Sequence, residues 1–197
     1  MKPFLIIISA PSGTGKSTAC HKLREKRKDL VASISSTTRQ PRPGEKPGRD
    51  YYFIGQDEFK RKIQAHDFLE WAIVHDEYYG TSRQAIDLSL KKGLCPLLAI
   101  DVQGALAIKK KMPDSVLIFL APPSMESLKM RLEKRLDPQG SVAKRLADSK
   151  HELSAAKNYD YIVVNDDLEE AVSQINSIIV AEKLKVFRQE MAELLPV

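Results

Sequence analysis

The sequence predicts an α/β fold built around a mostly parallel sheet, and three observations support this prediction. Segments with the composition of strands alternate with segments of helical periodicity along the chain. The most apolar runs, 4–9, 95–101 and 116–121, are continuous rather than alternating, as expected for strands buried on both faces. The 197 residues suffice for one domain with a sizeable core, and no repeat or low-complexity linker divides them.

The first half of the chain is predicted to contain three helices between short strands. We expect strands at 4–9, 31–35 and 68–75, and helices at 17–28, 56–66 and 82–93. Gly93 is placed to cap the last of these helices at its C-terminus. Residues 36–53 are rich in Pro, Gly and Arg, which predicts a loop that closes on the strand-like YYFI.

The second half continues the alternation. Strands are predicted at 95–101, 116–121 and 161–164, and a helix follows Asp101. Ser124 is expected to cap a helix that runs to about Arg135. The residues LDPQGS interrupt it, and a further helix continues to about Lys157. The apolar pattern of 168–191 predicts one long closing helix.

Composition limits the classes of function. The net charge of +5 admits a polyanionic partner, but no basic tract stands out, so little favours nucleic-acid binding. No apolar run approaches the ~20 residues of a membrane span, and the run at 4–9 is too short for a signal peptide. Cys20 and Cys95 have neither metal-ligand nor disulfide spacing. We therefore expect buried thiols and a cytoplasmic location.

The segment SAPSGTGKST, residues 9–18, carries the clearest chemical signal. It fits the phosphate-binding pattern G-x-x-x-x-G-K-[ST] except for Ala10, which is harmless if that position needs no positive φ. The glycines let backbone N–H groups surround phosphate oxygens, Lys16 would reach the β- and γ-phosphates, and Ser17 would bind Mg²⁺. The alternative is a glycine-rich turn with an accidental lysine. The predicted ATP-binding residues of this loop are Ala10, Pro11, Ser12, Gly13, Thr14, Gly15, Lys16, Ser17 and Thr18.

Further segments point to one family. In chain order they are SISSTTRQPRPGEKPGRDYYFI, FLEW, YYGTS, IDVQGA and VNDD. Together they resemble the guanylate kinases over nearly the whole chain. The resemblance implies a single domain, 1–197, folded as a three-layer P-loop sandwich with a mostly parallel central sheet, a GMP-binding subdomain with a small mixed sheet, and a helical lid. The expected bounds are about 1–35, 94–135 and 158–197 for the core, 36–93 for the GMP-binding region and 136–157 for the lid.

The resemblance also implies an acceptor site. It assigns the GMP phosphate to Arg39, Arg42, Tyr51 and Tyr79, and the guanine to Ser35, Glu70, Thr81 and Asp101. The residue types suit these roles. Arginine forks match phosphate oxygens, and a carboxylate can accept from both guanine N1–H and the 2-amino group. Adenine lacks this pair of donors, so such a site would discriminate.

The residues themselves support two of these assignments. Alternation along FLEWAIV places Glu70 as the lone charge on a face with apolar neighbours, which favours a polar pocket. The alternative is an edge-strand carboxylate that guards against aggregation. Asp101 ends an apolar strand, where open α/β sheets bind ligands. It could equally be a helix N-cap, and the two roles are compatible.

Other side chains in this region have plainer expectations. Arg39 and Arg42 could be solvated loop charges, but the surrounding prolines stiffen the segment and favour ordered phosphate binding. Tyr52, Phe53 and Trp71 are expected to be packing residues. The four histidines show no metal or catalytic spacing and receive no role.

The donor side is expected to be completed by a lid. The resemblance makes Arg131, Arg135 and Arg145 the candidates for binding the transferred phosphoryl group, and puts Asn165 near the adenine. Asn165 could instead cap the last helix. The stretch LDPQGSVA, Leu136 to Ala143, departs from the family pattern, so an ordinary helix–turn–helix remains an alternative.

These elements together predict Mg²⁺-dependent phosphoryl transfer from ATP to GMP, which gives ADP and GDP. The expected catalytic residues are Lys16, Arg39, Arg135 and Arg145, with Mg²⁺ as the cofactor. The expected partners are ATP and GMP, with dGMP as a further candidate acceptor, and neither nucleic acid nor a membrane is expected; a monomer and a homo-oligomer both remain open. The alternatives are a catalytically weak binding module of the same fold and a kinase of another phosphorylated small molecule.

Overall fold

A computed structural model of the chain describes residues 1–74, 76–134 and 142–190. Seven helices and nine strands lie in these residues, with short 3₁₀ turns at Ala155–Asn158 and Val186–Arg188. In chain order they are β1 (Ile6–Ser9), α1 (Lys16–Lys26), β2 (Leu30–Ala32), β3 (Ser36–Thr37), β4 (Tyr52–Phe53), α2 (Gln56–Gln64), β5 (Phe68–Val74), β6 (Glu77–Ser82), α3 (Arg83–Lys91), β7 (Cys95–Ala99), α4 (Val102–Lys111), β8 (Val116–Ala121), α5 (Met125–Glu133), α6 (Val142–Ser154), β9 (Tyr161–Val164) and α7 (Leu168–Lys183).

The larger sheet has five strands in the order β2-β7-β1-β8-β9, and every neighbouring pair is parallel. Every residue of β1 and β8 is buried, because helices cover both faces of the sheet. Ile7 at the centre of β1 lies opposite Leu98 on one side and Leu117 on the other. This arrangement confirms the predicted parallel core, and it brings the carboxyl ends of β1 and β7 to one edge.

The smaller sheet has four strands in the order β4-β3-β6-β5 and is mixed. The β3–β4 pair is parallel, while β3–β6 and β5–β6 are antiparallel. Strand β6 was not predicted, since its residues EYYGTS lack a continuous apolar run. Its pairing with β5 sets Glu70 directly opposite Thr81. The mixed sheet that the sequence resemblance implied is therefore present.

Several local expectations are confirmed and two are wrong. Ser124 caps α5 by accepting from the Ser127 N–H, and Gly93 follows α3 with a φ of 74°. The strand expected at 31–35 covers only 30–32, because the chain leaves the larger sheet there and enters the smaller one at Ser36.

The closing helix is also shorter than predicted, since α7 ends at Lys183. Beyond it the chain turns back onto the first strand. Arg188 lies over the Phe4 ring, 4.0 Å from its centroid, and donates to the Asp114 carbonyl at 2.8 Å. Its own carbonyl accepts from the Lys2 N–H at 2.8 Å. These tertiary contacts are incompatible with a continued helix.

Candidate active site

The phosphate loop joins β1 to α1, as the motif requires. The Thr14 N–H donates to the Pro11 carbonyl at 3.1 Å, which folds the loop back on itself. Gly15 is the N-cap of α1 and has a φ of 97°, a conformation that glycine adopts without strain. A Cβ at this position would also lie 2.7 Å from the Asn165 Nδ2. Ala10 does not have a positive φ, so its methyl group is tolerated as predicted.

Lys16 occupies the first position of α1 and reaches across to the neighbouring strand end. Its Nζ donates to the Ile100 carbonyl at 2.9 Å. Burial lowers the pKa of the Lys16 ammonium, while the carboxylates of Asp101 and Glu152 act in the opposite direction. The Lys16 amino group thus lies at the carboxyl edge of the sheet, at the N-terminus of α1.

Glu70 is a buried carboxylate on the smaller sheet. The Thr81 hydroxyl donates to its Oε1 at 2.6 Å, and both residues are buried. Burial raises the pKa of Glu70 to about 7, and Asp101 adds to the shift, while Thr81 and Lys111 oppose it. A Cβ on Gly104 would lie 2.7 Å from the Glu70 Oε2, so the start of α4 packs closely over this group. Glu70 is thus buried although β5 is an edge strand of the smaller sheet, a position that favours the predicted polar pocket.

Asp101 has the N-cap role that the sequence allowed. Its Oδ1 accepts from the N–H groups of Gln103 and Gly104 at 2.8 and 3.1 Å. Only this oxygen is used in capping α4. The side chain also lines the cleft next to Glu70, so a ligand contact through the second oxygen is compatible with the cap.

Arg39 is held within a cluster of polar and aromatic groups. Its guanidinium donates to Glu45 at 2.9 Å, to the Gln40 carbonyl at 2.7 Å and to the Tyr79 hydroxyl at 3.2 Å. It also lies 5.4 Å from the centroid of the Tyr51 ring. Burial excludes the alternative of a solvated loop charge for Arg39.

Three predicted donor-side residues surround the phosphate loop. The Arg145 guanidinium, on α6, donates to the Ser12 hydroxyl at 2.7 Å. Arg131, on α5, donates to the Asn165 carbonyl at 3.1 Å. The Asn165 side chain donates to the Thr14 carbonyl at 2.6 Å. The cap of α7 is Asp167, so the alternative capping role for Asn165 is wrong.

A single cleft of about 460 Å³ brings most of the predicted residues together. From the donor side it is lined by Ala10, Pro11, Ser12, Gly13, Gly15, Lys16, Ser17, Thr18, Arg131 and Arg145, and from the acceptor side by Ser35, Arg42, Tyr51, Glu70, Tyr79 and Asp101.

Among the described residues, four predicted ones do not line this cleft: Thr14, Arg39, Thr81 and Asn165. Arg39 hydrogen bonds to the lining residue Tyr79, Thr81 to Glu70, and Asn165 to Arg131. Arg135, predicted to be catalytic, and most of the atypical lid stretch lie outside the described residues.

Sequence reasoning missed Glu152, a carboxyl group at the centre of the site. Glu152 lies on α6, seven residues after Arg145, and it lines both the main cleft and an adjoining cavity of about 280 Å³. Burial raises the pKa of Glu152 to about 7; Lys16 opposes the shift, while Asp101 and Asp148 add to it. Its seven-residue spacing from Arg145 on one helix is the only signal that could have indicated it.

Two aromatic residues expected to be packing residues are exposed. Tyr52 is 52% and Trp71 is 45% exposed. Strand alternation explains Trp71, because its neighbours Glu70 and Ala72 point into the protein. Trp71 contacts Tyr78, with ring centroids 6.0 Å apart.

Comparisons with known proteins show the family to which the sequence and the fold belong. The sequence model of the family described as guanylate kinase matches residues 2–182. The guanylate kinase of Caldanaerobacter subterraneus subsp. tengcongensis is 49% identical over 187 residues, which cover 94% of this chain and 91% of that protein. The guanylate kinase of Clostridium perfringens strain 13 is 46% identical over 185 residues, covering 93% of this chain and 86% of that protein.

A solved structure matches the whole architecture. The crystal structure of guanylate kinase from Anaplasma phagocytophilum superposes with a TM-score of 0.84 at 37% identity. The match covers 98% of this chain and 93% of that one. Separately, among the described residues, we find no helix that combines the length and the apolar character needed to cross a membrane.

Proposed function

The chain belongs to the guanylate kinase family, and we propose that its cleft binds ATP along the phosphate loop and GMP along the four-stranded sheet. Guanylate kinase activity, the transfer of the γ-phosphoryl group of ATP to GMP, is the function of this chain. One observation carries the division of the site: Lys16 of the loop and Glu70 of the smaller sheet line the same cleft. ATP and GMP bound there would share one continuous cleft, so their phosphates could come into contact.

On the donor side, the loop and the helix behind it would hold the ATP phosphates. The backbone N–H groups around Gly13 and Gly15 and the N-terminus of α1 supply partial positive charge. Lys16 lies at this edge, where a bound phosphate would favour its charged form, and Arg131 and Arg145 approach from α5 and α6. As the transferred group passes from ATP to GMP, its charge spreads over three oxygens, and these cations would stabilise it. Arg135 is expected to join them.

On the acceptor side, Glu70 is proposed to read guanine. Thr81 donates to one of its oxygens, which fixes the carboxylate plane. Guanine N1–H and the 2-amino group would donate to the carboxylate, and Ser35 and Asp101 lie beside it in the cleft. With adenine bound, the buried carboxylate would receive no such pair of hydrogen bonds, and its desolvation would be uncompensated. The GMP phosphate would bind Arg39, Arg42, Tyr51 and Tyr79.

No general base is required from the protein. The attacking group is the GMP phosphate, which is already an anion near neutral pH. The residues therefore have two tasks, which are to bring two anions together and to exclude water while they react. Glu70 and Glu152, whose pKa values burial raises to about 7, both line this cleft, and the proposed reaction assigns neither a proton-transfer step.

We propose Mg²⁺ as the cofactor, and the residues present fit it. The Ser17 hydroxyl lies in the first turn of α1, is exposed and lines the cleft. In the described part of the chain, no three His, Cys, Asp or Glu side chains are grouped to hold a metal. One hydroxyl fits an ion that takes most of its ligands from phosphates and water. When bound, Mg²⁺ neutralises phosphate charge and polarises the transferred group. Two buried free thiols fit the cytoplasm, which we propose as the location.

The proposal is tested by an ADP-release assay with ATP and Mg²⁺ that offers GMP, AMP, CMP and UMP separately. We expect fast turnover with GMP alone. Thermal shift with each nucleotide is the parallel measurement. Turnover of AMP at a similar rate would contradict the guanine role of Glu70. A GMP-induced rise in melting temperature without turnover would favour the binding-module alternative instead.

A further inference from the structure

A tight turn lies beside the proposed phosphate site and is closed by one residue, Glu45. The Glu45 N–H donates to the Arg42 carbonyl at 3.0 Å. Pro43 and Gly44, with a φ of 85° at Gly44, match the central residues of a type II turn. In the reverse direction, the Arg42 N–H donates to the Glu45 Oε2 at 2.7 Å. The backbone and the side chain of Glu45 therefore both fix the backbone of Arg42.

The second carboxylate oxygen of Glu45 binds the other arginine. Glu45 Oε1 accepts from Arg39 Nη2 at 2.9 Å, and the two side chains are 19% and 6% exposed. Together with the contacts to Gln40 and Tyr79, each of the three guanidinium nitrogens of Arg39 donates one hydrogen bond. Two of its five N–H donors have no partner in the described part of the chain, so they can be offered to a ligand in a fixed orientation.

The charges of this cluster are consistent with an ordered pair. Burial acts to raise the pKa of Glu45, but the hydrogen bonds from Arg39 and from the Arg42 N–H outweigh it, and the pKa is lowered. The carboxylate thus stays ionised. It offsets part of the repulsion between two nearby guanidinium groups, and the trio retains a formal charge of +1 that still attracts a phosphate.

We propose that Glu45 is a positioning residue that holds Arg39 and Arg42 ready to receive the phosphate of GMP. The inference rests on the proposed function, since it assumes that these arginines bind that phosphate. Its physical basis is preorganisation. The Arg39 guanidinium, which is already held, loses less side-chain entropy when the ligand arrives, and the backbone of Arg42 is already in place, so binding is tighter. The opposing possibility is that the carboxylate competes with phosphate for Arg39, in which case its removal would tighten binding.

The first experiment compares Glu45→Gln with Asp50→Asn. Asp50 is a matched control in the same segment: it accepts from the Lys46 N–H and from Arg49, each at 2.8 Å, and its hydrogen bonds include neither Arg39 nor Arg42. Calorimetry would measure the Kd of GMP, guanosine and ATP. We expect Glu45→Gln to raise the Kd of GMP by about ten- to a hundredfold. In Glu45→Gln, the Kd of ATP and that of guanosine, which lacks the phosphate, should change less than about twofold. In Asp50→Asn, the Kd values of GMP, guanosine and ATP should all change less than about twofold.

The second experiment separates this inference from the proposed function. Arg39→Ala alone should weaken the binding of GMP. Glu45→Gln should then be combined with Arg39→Ala, and its effect on the Kd of GMP should be several-fold smaller there than in the unmodified chain, because the residue that Glu45 positions is gone. If Arg39→Ala leaves GMP affinity intact, the proposed phosphate site is wrong. If Arg39→Ala weakens GMP but Glu45→Gln does not, or tightens it, the positioning role is overturned. Equal losses for GMP, guanosine and ATP would indicate a general structural defect and also overturn it.

A conservative variant covers the case in which Glu45→Gln does not fold. Glu45→Asp keeps the charge on a shorter side chain, which cannot reach both arginines in the same geometry. It should weaken GMP less than Glu45→Gln while leaving guanosine unchanged. A Glu45→Asp protein that binds GMP as weakly as Arg39→Ala, or as tightly as the unmodified chain, would contradict the two-contact geometry.

Discussion

The two sheets of the molecule are built on opposite principles. The five-stranded sheet is apolar inside, and all ten residues of β1 and β8 except Ser9 are hydrophobic and buried. The four-stranded sheet has two strands of only two residues. Its buried members include the polar or charged residues Ser36, Thr37, Glu70 and Thr81, and Arg39, two residues beyond β3, is buried as well. The larger sheet is a continuous apolar core with the phosphate loop at its edge, whereas the smaller sheet buries polar groups that we propose bind a ligand.

The difference has an energetic consequence. Buried polar groups are tolerated when they are hydrogen bonded, and Glu70 has Thr81 as its partner. Even so, its pKa of about 7 means that the folded protein disfavours the ionised carboxylate. The buried Glu70 carboxylate therefore lowers the free energy of unfolding, and a bound ligand could donate hydrogen bonds to it. Substitutions beside the larger sheet and in the smaller sheet should therefore affect turnover, ligand affinity and stability differently, and measurements on variants can test this difference.

The largest expected effect is on the donor side. Lys16→Met should lower kcat by about a thousandfold or more, because it removes the side chain that we propose stabilises the transferred phosphoryl group. The Kd of GMP should change less than about threefold. Steady-state assays and calorimetry would measure the two quantities, with Lys26→Met, on the exposed side of the same helix, as the control. Lost GMP affinity would mean that the two sides are not separate.

The next effect is on the acceptor side. Glu70→Gln should raise the Kd of GMP by about a hundredfold or more while leaving ATP within threefold, since two guanine donors lose their anionic partner. Above pH 7 the same change should stabilise the fold, by up to roughly 3 kcal/mol, because it removes a disfavoured charge. Calorimetry and denaturant unfolding would measure the two effects.

Glu77→Gln provides a matched control for the Glu70 prediction. Glu77 lies on the neighbouring strand and also accepts a threonine hydroxyl, that of Thr38, at 2.5 Å, but it does not line the cleft. It should leave GMP affinity unchanged. Equal losses of GMP and ATP affinity in Glu70→Gln would assign Glu70 a structural role only.

A smaller effect concerns pH. Because Glu70 has a pKa of about 7 and guanine would bind its ionised form, affinity should fall as the pH is lowered through 7. We expect a loss of about tenfold between pH 8 and pH 6. Guanosine is the suitable ligand, since the phosphate of GMP itself titrates near 6. Glu70→Gln should flatten the profile; a flat profile in the unmodified chain would argue against ionised Glu70 as the acceptor.

The smallest effect is expected at Ala10. Ala10→Gly restores the common motif, yet turnover should stay within about twofold, because this position has no positive φ. The free energy of unfolding should fall by about 1 kcal/mol, from added chain entropy and a lost buried methyl group. Gly15→Ala is the contrasting variant and should abolish ATP binding, because its Cβ would collide with Asn165. A large gain in activity from Ala10→Gly would contradict the interpretation of the motif.

The same contrast explains how far the sequence could predict the structure. The phosphate loop is local: eight consecutive residues between a strand and a helix contain all of its chemistry, so the motif alone identifies it. The inward position of Glu70 followed from strand alternation. Its partner Thr81 lies eleven residues away on β6, and only the family resemblance brought the two together.

What could not be predicted depends on tertiary contacts. Nothing in RPGE indicates that Glu45 reaches Arg39. Glu152 enters the site only because α6 packs against the phosphate loop through Arg145 and Ser12. The early end of α7 results from the contact of Arg188 with Phe4, while the local pattern favours a helix there. The roles of the individual site residues stay predictions.

The outward position of Trp71 has a practical consequence. It is the only tryptophan of the chain, so all tryptophan fluorescence originates from the four-stranded sheet. Far-ultraviolet circular dichroism, in contrast, is dominated by the helices, most of which flank the larger sheet. Thermal melts followed by the two signals therefore report on different parts of one molecule. Coincident transitions would show that both sheets unfold as a single cooperative unit, and an earlier fluorescence transition would show that the ligand-binding sheet opens first.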